Sequence, residues 1–269
     1  MTTPLSPTPR AASMAPRTQP RGSSFDDAAW MGLLEDDSAM LRQARPGQLD
    51  QPYGTATWNQ WDLFPAADPH RPCLVLLHGA ERPDHEWKAG DWRRCSALAE
   101  GLRAHGWASA LPGRGLSPAV SPTRIVRDTH KALDWLGAHG AQHGIAGPVI
   151  LAGWGAGADL AALLLDHPLV KAGVGICGLY DLETAPVCAT ELEVIALSPV
   201  RLPVVGKPFI IAHDGGETAA AAAAWHAARQ QGGGAGRMIG LPGQGTARLL
   251  DSLRAPDGAL CRAVLDLVG

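Results

Sequence analysis

Gly153-Trp154-Gly155-Ala156-Gly157 stands between a strand-like run, Val149-Ile150-Leu151-Ala152, and a helix-like run from Asp159 to Leu165. In that setting a Gly-x-Ser-x-Gly sequence makes a sharp turn. It presents a serine hydroxyl to substrate and aims the N–H of the next residue at an oxyanion. The chemistry would be acyl transfer through a covalent intermediate, which needs a nucleophile activated by a nearby base. Here the central residue is Gly155. The turn is kept and the reacting atom is missing. Such a turn holds its central residue at strained dihedrals, costing about 1–3 kcal/mol for a residue with a Cβ, and glycine relieves that strain. Gly155 is therefore expected to preserve the fold while removing the nucleophile.

The elements that would position this turn alternate along the chain. Phe25 to Ala44 reads as a helix, with Ser24 as N-cap and Asp26 and Asp27 in the first turn. Thr55 to Leu63 reads as a strand, and Cys73 to Leu77 as a strand covered on both faces, because its apolar run is continuous. There follow a helix over Cys95 to His105, ended by Gly106, and a strand over Trp107 to Leu111. Next come a long helix over Pro122 to Gly140, a strand over Val149 to Ala152 and a helix over Ala156 to Asp166. Val170 to Cys177 and Phe209 to Ala212 are strands. Thr218 to Gln231 is an Ala-rich helix, Arg237 to Leu241 the last strand and Pro256 to Val268 the last helix. This alternation predicts an α/β fold, a mostly parallel central sheet with helices on both faces. In such sheets the working site lies at the carboxyl ends of the strands.

Composition limits the alternatives. The chain has 269 residues and a formal net charge of −3, so it carries no basic balance that would draw nucleic acid. No apolar run is long enough to span a bilayer. The five cysteines (Cys73, Cys95, Cys177, Cys188, Cys261) form no Cys-x-x-Cys pair and no zinc pattern, and read as small buried hydrophobes. No metal and no cofactor are expected. Residues 1–24 are rich in Pro, Ser, Thr and Arg and contain no acid. They are expected to be a disordered tail before a single domain over 25–269. The tail lacks the apolar core of a secretory signal, so a cytoplasmic location is expected, with a transit peptide as the alternative that Arg10, Arg17 and Arg21 leave open.

From about Phe25 onward the chain resembles kynurenine formamidase (arylformamidase) and related small esterases of the α/β-hydrolase superfamily. The likeness is carried by Trp61-Asp62-Leu63-Phe64-Pro65, Leu76-Leu77-His78-Gly79-Ala80 and Leu116-Ser117-Pro118, the last followed by the helix around Ala132-Leu133-Asp134-Trp135-Leu136. Further on it is carried by Gly178-Leu179-Tyr180-Asp181-Leu182, Leu197-Ser198-Pro199 and His213-Asp214-Gly215-Gly216-Glu217, all in the family's order. The resemblance implies an α/β-hydrolase fold and an esterase-like cleft. It implies that Asp214 is the retained triad acid. It puts Thr246, in Gly243-Gln244-Gly245-Thr246-Ala247, where the base histidine would be. Threonine does not titrate near neutrality and cannot relay a proton as imidazole does. Oxyanion donors would come from the backbone of Gly79, Ala80 and Ala156, and the ligand surface from these with His78 and Trp154. Arg82 and Asp84 stand where the family has aromatic residues, and Asp159 where it often has histidine.

Two functional expectations follow. In the first, the chain is a pseudo-hydrolase, lacking its nucleophile at Gly155 and its base at Thr246, that binds a small acyl or aromatic ligand or a protein partner. A homo-oligomer is one form such pairing could take. In the second, an active ester or amide hydrolase uses His213 or His78 with Asp214 to activate water. The discriminating feature is an imidazole nitrogen within hydrogen-bond reach of the Asp214 carboxylate.

Overall fold

Strands buried on both faces should send alternate side chains into two separate cores, and this chain does so. The structure, a computed structural model, describes residues 27–44, 48–79, 91–185, 189–242 and 245–268. Its strands are β1 (Gln51–Pro52), β2 (Gln60–Phe64), β3 (Cys73–Leu77), β4 (Ala108–Pro112), β5 (Val149–Trp154), β6 (Val170–Ile176), β7 (Phe209–His213) and β8 (Gly236–Gly240). They form one eight-stranded sheet in the order β1-β2-β4-β3-β5-β6-β7-β8. The pairs β1/β2 and β2/β4 are antiparallel; every other pair is parallel.

The helices are α1 (Asp27–Ala44), α2 (Glu100–Ala104), α3 (Pro122–His139), α4 (Ala156–Leu163), α5 (Glu191–Leu197), α6 (Gly216–Gln231), α7 (Gly245–Arg254) and α8 (Ala259–Leu265). Leu74, Leu76, Ile150, Ala152, Trp154, Val174 and Ile210 pack on one face with Trp30 and Leu34 of α1, Leu102 of α2, Leu249 and Leu253 of α7 and Leu260 of α8. Their neighbours Cys73, Val75, Leu77, Val149, Leu151, Phe209 and Ile211 pack on the other face with Ile125 and Leu133 of α3, Leu160 of α4 and Trp225 of α6. There Tyr180 stacks on Trp225 with ring centroids 4.2 Å apart. Among the described residues no helix is long and apolar enough to cross a membrane.

Four expectations need correction. The strand expected over Thr55 to Leu63 begins only at Gln60, because Asn59 closes a turn first: its Oδ1 accepts the Ala56 N–H at 3.1 Å, and its own N–H bonds Ala56 O at 2.9 Å. The helix expected from Cys95 starts instead as 3-10 turns over Asp91–Ala99, and only Glu100–Ala104 is α-helical. The helix expected over Pro256 to Val268 is confined to Ala259–Leu265. The segment expected as a loop around Thr246 is the helix α7, whose Ala247, Leu249, Leu250 and Leu253 are buried. The proposed tail over 1–24, the cap at Ser24, and Ala80, Arg82, Asp84 and Cys188 lie outside the described residues.

Candidate functional site

Because β3, β5, β6 and β7 are parallel neighbours, the residues that follow them line one edge of the sheet. These are His78, Gly155, Cys177 and Asp214. Gly155 caps α4 with φ 52° and ψ −126°, in the left-handed half of the map that glycine occupies without a Cβ penalty. Its N–H bonds Ile176 O at 2.8 Å, which ties the turn to β6. The α4 ladder opens with Ala158 N–H to Gly155 O at 2.9 Å, so the exposed Ala156 keeps its N–H outside the ladder, as an oxyanion donor requires. The flanking glycines are set by close approach. A Cβ on Gly153 would meet Gly157 O at 2.2 Å, and one on Gly157 would meet Leu77 O at 2.3 Å.

The opposing segment, His78-Gly79, is pinned from below. Arg114 is 3% exposed and donates from Nη2 to His78 O at 2.6 Å, and from Nε to the same oxygen at 3.3 Å. Burial lowers its guanidinium pKa to about 10. Nothing in the motifs points to this residue; the only local signal is its place between Gly113 and Gly115 just after β4. The His78 ring is fully buried, with Nδ1 3.1 Å from Gly79 O and the Trp154 ring 6.4 Å away. Burial first, and Arg114 second, lower its pKa to about 3, so its imidazole is neutral at physiological pH.

Asp214 and Thr246 meet across the sheet edge: Thr246 Oγ1 donates to Asp214 Oδ2 at 3.1 Å. The other carboxylate oxygen, Oδ1, accepts from Thr218 Oγ1 at 2.6 Å. Thr246 is the second residue of α7, which carries it to the carboxylate. His213 is not one of the hydrogen-bond donors to that carboxylate. Its ring lies over Gly240 of β8, where a Cβ would be 2.8 Å from Cε1. Cys177 is the thiol at this place. It is buried, has φ 52°, and interacts with both Thr246 and Asp214. Burial is the main cause that pushes its pKa up to about 11, so it is held as the protonated thiol and is a poor nucleophile.

Asp159, expected at a histidine position of the family, turns inward from α4. It is 8% exposed, and its Oδ1 accepts the Tyr180 N–H at 2.8 Å. Burial pushes its carboxyl pKa up to about 6, against the opposing hydrogen bonds from Tyr180 and Leu179. A raised carboxyl pKa means the folded state disfavours the anion. The resulting cost is absent below the unfolded pKa of about 3.9, grows as pH rises, and is complete above about 6. Asp159→Asn keeps an acceptor and removes the charge. We expect it to raise unfolding free energy by roughly 1–3 kcal/mol at pH 8, with the gain vanishing at pH 4. Urea melts at the two pH values check this; an equal effect at both would refute the assignment.

No family model matches the sequence, and no curated protein matches it. Solved structures do. One is a protein assigned as a thioesterase from Silicibacter sp. TM1040, at 23% identity and TM-score 0.71, covering 88% of this chain and 93% of the other. A second is esterase B of Lactobacillus rhamnosis, at 17% identity and TM-score 0.64, covering 90% and 94%. A third is esterase 2 of Thermogutta terrifontis, at 18% identity and TM-score 0.64, covering 83% and 96%. With a single eight-stranded, mostly parallel sheet, a strand–turn–helix at Gly155 and these neighbours, the chain has the α/β-hydrolase fold.

Proposed function

We propose that this protein is an esterase-like member of the fold that binds a small acyl or aromatic ligand at the Gly155 edge and does not cleave it through an acyl-enzyme. One observation carries the reading: Thr246 donates its hydroxyl directly to Asp214, in the spot assigned to the base, opposite a turn whose central residue has no side chain. A carboxylate paired with hydroxyls has no imidazole to orient and no cation to stabilise. The exposed Ala156 N–H at the start of α4 still suits a carbonyl or carboxylate oxygen. The segments shared with arylformamidase favour an aromatic acyl ligand such as N-formylkynurenine, and the esterase neighbours favour short acyl groups.

The test uses the full chain with p-nitrophenyl esters and N-formylkynurenine as substrates, alongside a fluorophosphonate probe. We expect no probe labelling and no turnover above buffer. Hydrolysis that Asp214→Ala abolishes would overturn the reading, and would return the second expectation, water activated with the help of Asp214.

A further inference from the structure

At the opposite edge of the sheet a second constellation stands apart from the Gly155 site. His130 and Asp134 lie one turn apart on α3, and His167 follows α4 just before β6. His130 Nδ1 is 3.0 Å from Asp134 Oδ2, and His167 Nε2 is 3.2 Å from Asp134 Oδ1. The three donor atoms all lie within 4.8 Å of one another. The two imidazoles meet edge to face with centroids 4.7 Å apart. We propose that His130, Asp134 and His167 form a three-ligand site for a divalent transition-metal ion of the Zn²⁺ type, with water completing the shell.

The spacing supports this. Bonds of about 2.0–2.2 Å to a tetrahedral ion put neighbouring donors roughly 3.3–3.6 Å apart. The imidazole–carboxylate distances, each to a different oxygen of Asp134, are close to this. The three donors, within 4.8 Å of one another, would draw together on binding. Two imidazoles and one carboxylate suit Zn²⁺ or its neighbours; Mg²⁺ and Ca²⁺ take oxygen ligands. The site is half pre-built. His167 is 5% exposed, and Lys207 Nζ holds its backbone oxygen at 2.8 Å, while His130 and Asp134 are open to solvent for entry.

One contact opposes binding. Leu169 N–H donates to His167 Nδ1 at 3.2 Å, which keeps the proton of that ring on Nε2, facing Asp134. Metal at Nε2 shifts that proton to Nδ1 and leaves Leu169 N–H to find water. A ligand histidine ordinarily donates its second ring N–H to an acceptor. This site must first break a hydrogen bond made the other way, so it binds roughly 10–100-fold more weakly than one whose second ring nitrogen already donates to an acceptor.

The experiment is calorimetric titration of ZnCl₂ into the full-length, untagged, chelator-treated chain at pH 7.5. We expect one ion per chain, with His130→Ala and Asp134→Asn each weakening uptake tenfold or more. Both residues are exposed, so neither variant should disturb folding, and circular dichroism verifies that. His139→Ala, an exposed histidine on the same helix stacked on Trp135, should leave uptake unchanged. Absence of saturable uptake near one equivalent overturns the proposal. So does uptake that Asp134→Asn leaves intact, or that His139→Ala removes.

Discussion

The double variant Gly155→Ser/Thr246→His is expected to hydrolyse p-nitrophenyl acetate and to label with a fluorophosphonate, whereas each single variant stays near the buffer rate. The argument is one of non-additivity. In the worked subtilisin example, losing the nucleophile or the base alone costs about 10⁶ in turnover, nearly as much as losing the whole triad. Restoring one group therefore returns almost nothing; restoring both returns a working pair. The geometry is favourable at both positions. Gly155 already has φ 52° and ψ −126° at a strand–turn–helix, so a serine there inherits the strained turn at a cost of about 1–3 kcal/mol. Thr246 already reaches Asp214 Oδ2 at 3.1 Å, so an imidazole built from the same Cα starts within range of its orienting carboxylate. We expect the pair to exceed either single variant by roughly 10²–10³, short of the full 10⁶ because the surrounding pocket is not tuned for it. A folded double variant that neither turns over ester nor takes up the probe would remove the support for assigning these two positions.

The second large effect is on stability. Gly157→Ala is expected to destabilise the fold by roughly 3 kcal/mol or more. Its Cβ would lie 2.3 Å from Leu77 O and 2.9 Å from His78 O, and both are backbone atoms of β3 and its exit that cannot swing aside. Those two residues also lead into Gly79, so the strain would reach the candidate site. Gly32→Ala is the matched control. Gly32 is exposed on α1, and a methyl group there would have nothing within 4 Å, so alanine should add up to about 1 kcal/mol. Chemical melts of the two variants decide the matter: a Gly157→Ala melt within about 1 kcal/mol of the parent would mean that α4 and β3 can separate without penalty.

What could be read from residues alone tracks how local the signal was. The strands β3 and β5 were legible because full burial writes a continuous apolar run. The turn at Gly155 was legible because strand, glycines and helix adjoin in the chain. The helix α7 was not, because Gly243 and Gly245 at its start suggest a loop, and its buried face, Ala247, Leu249, Leu250 and Leu253, shows only over a longer window. The helix α5 is short and has no buried residue; Leu192 and Ile195, three apart, are exposed, and its start is marked by the capping box of Thr190 and Glu193. Arg114 and Cys177 were invisible as site residues because their partners are remote. Arg114 serves a carbonyl 36 positions earlier, and Cys177 meets a threonine supplied by α7.

The threonine–carboxylate contact at the Asp214 edge has a consequence for how this surface can change. A triad that merely lost its imidazole would leave an anion short of a donor, and the fold would be poorer by that missing bond. Here a hydroxyl from each of two helices reaches one of the two oxygens, so each carboxylate oxygen has a partner without an imidazole. The same two contacts keep the carboxylate in place as the anchor on which the Gly155→Ser/Thr246→His variant would build its relay.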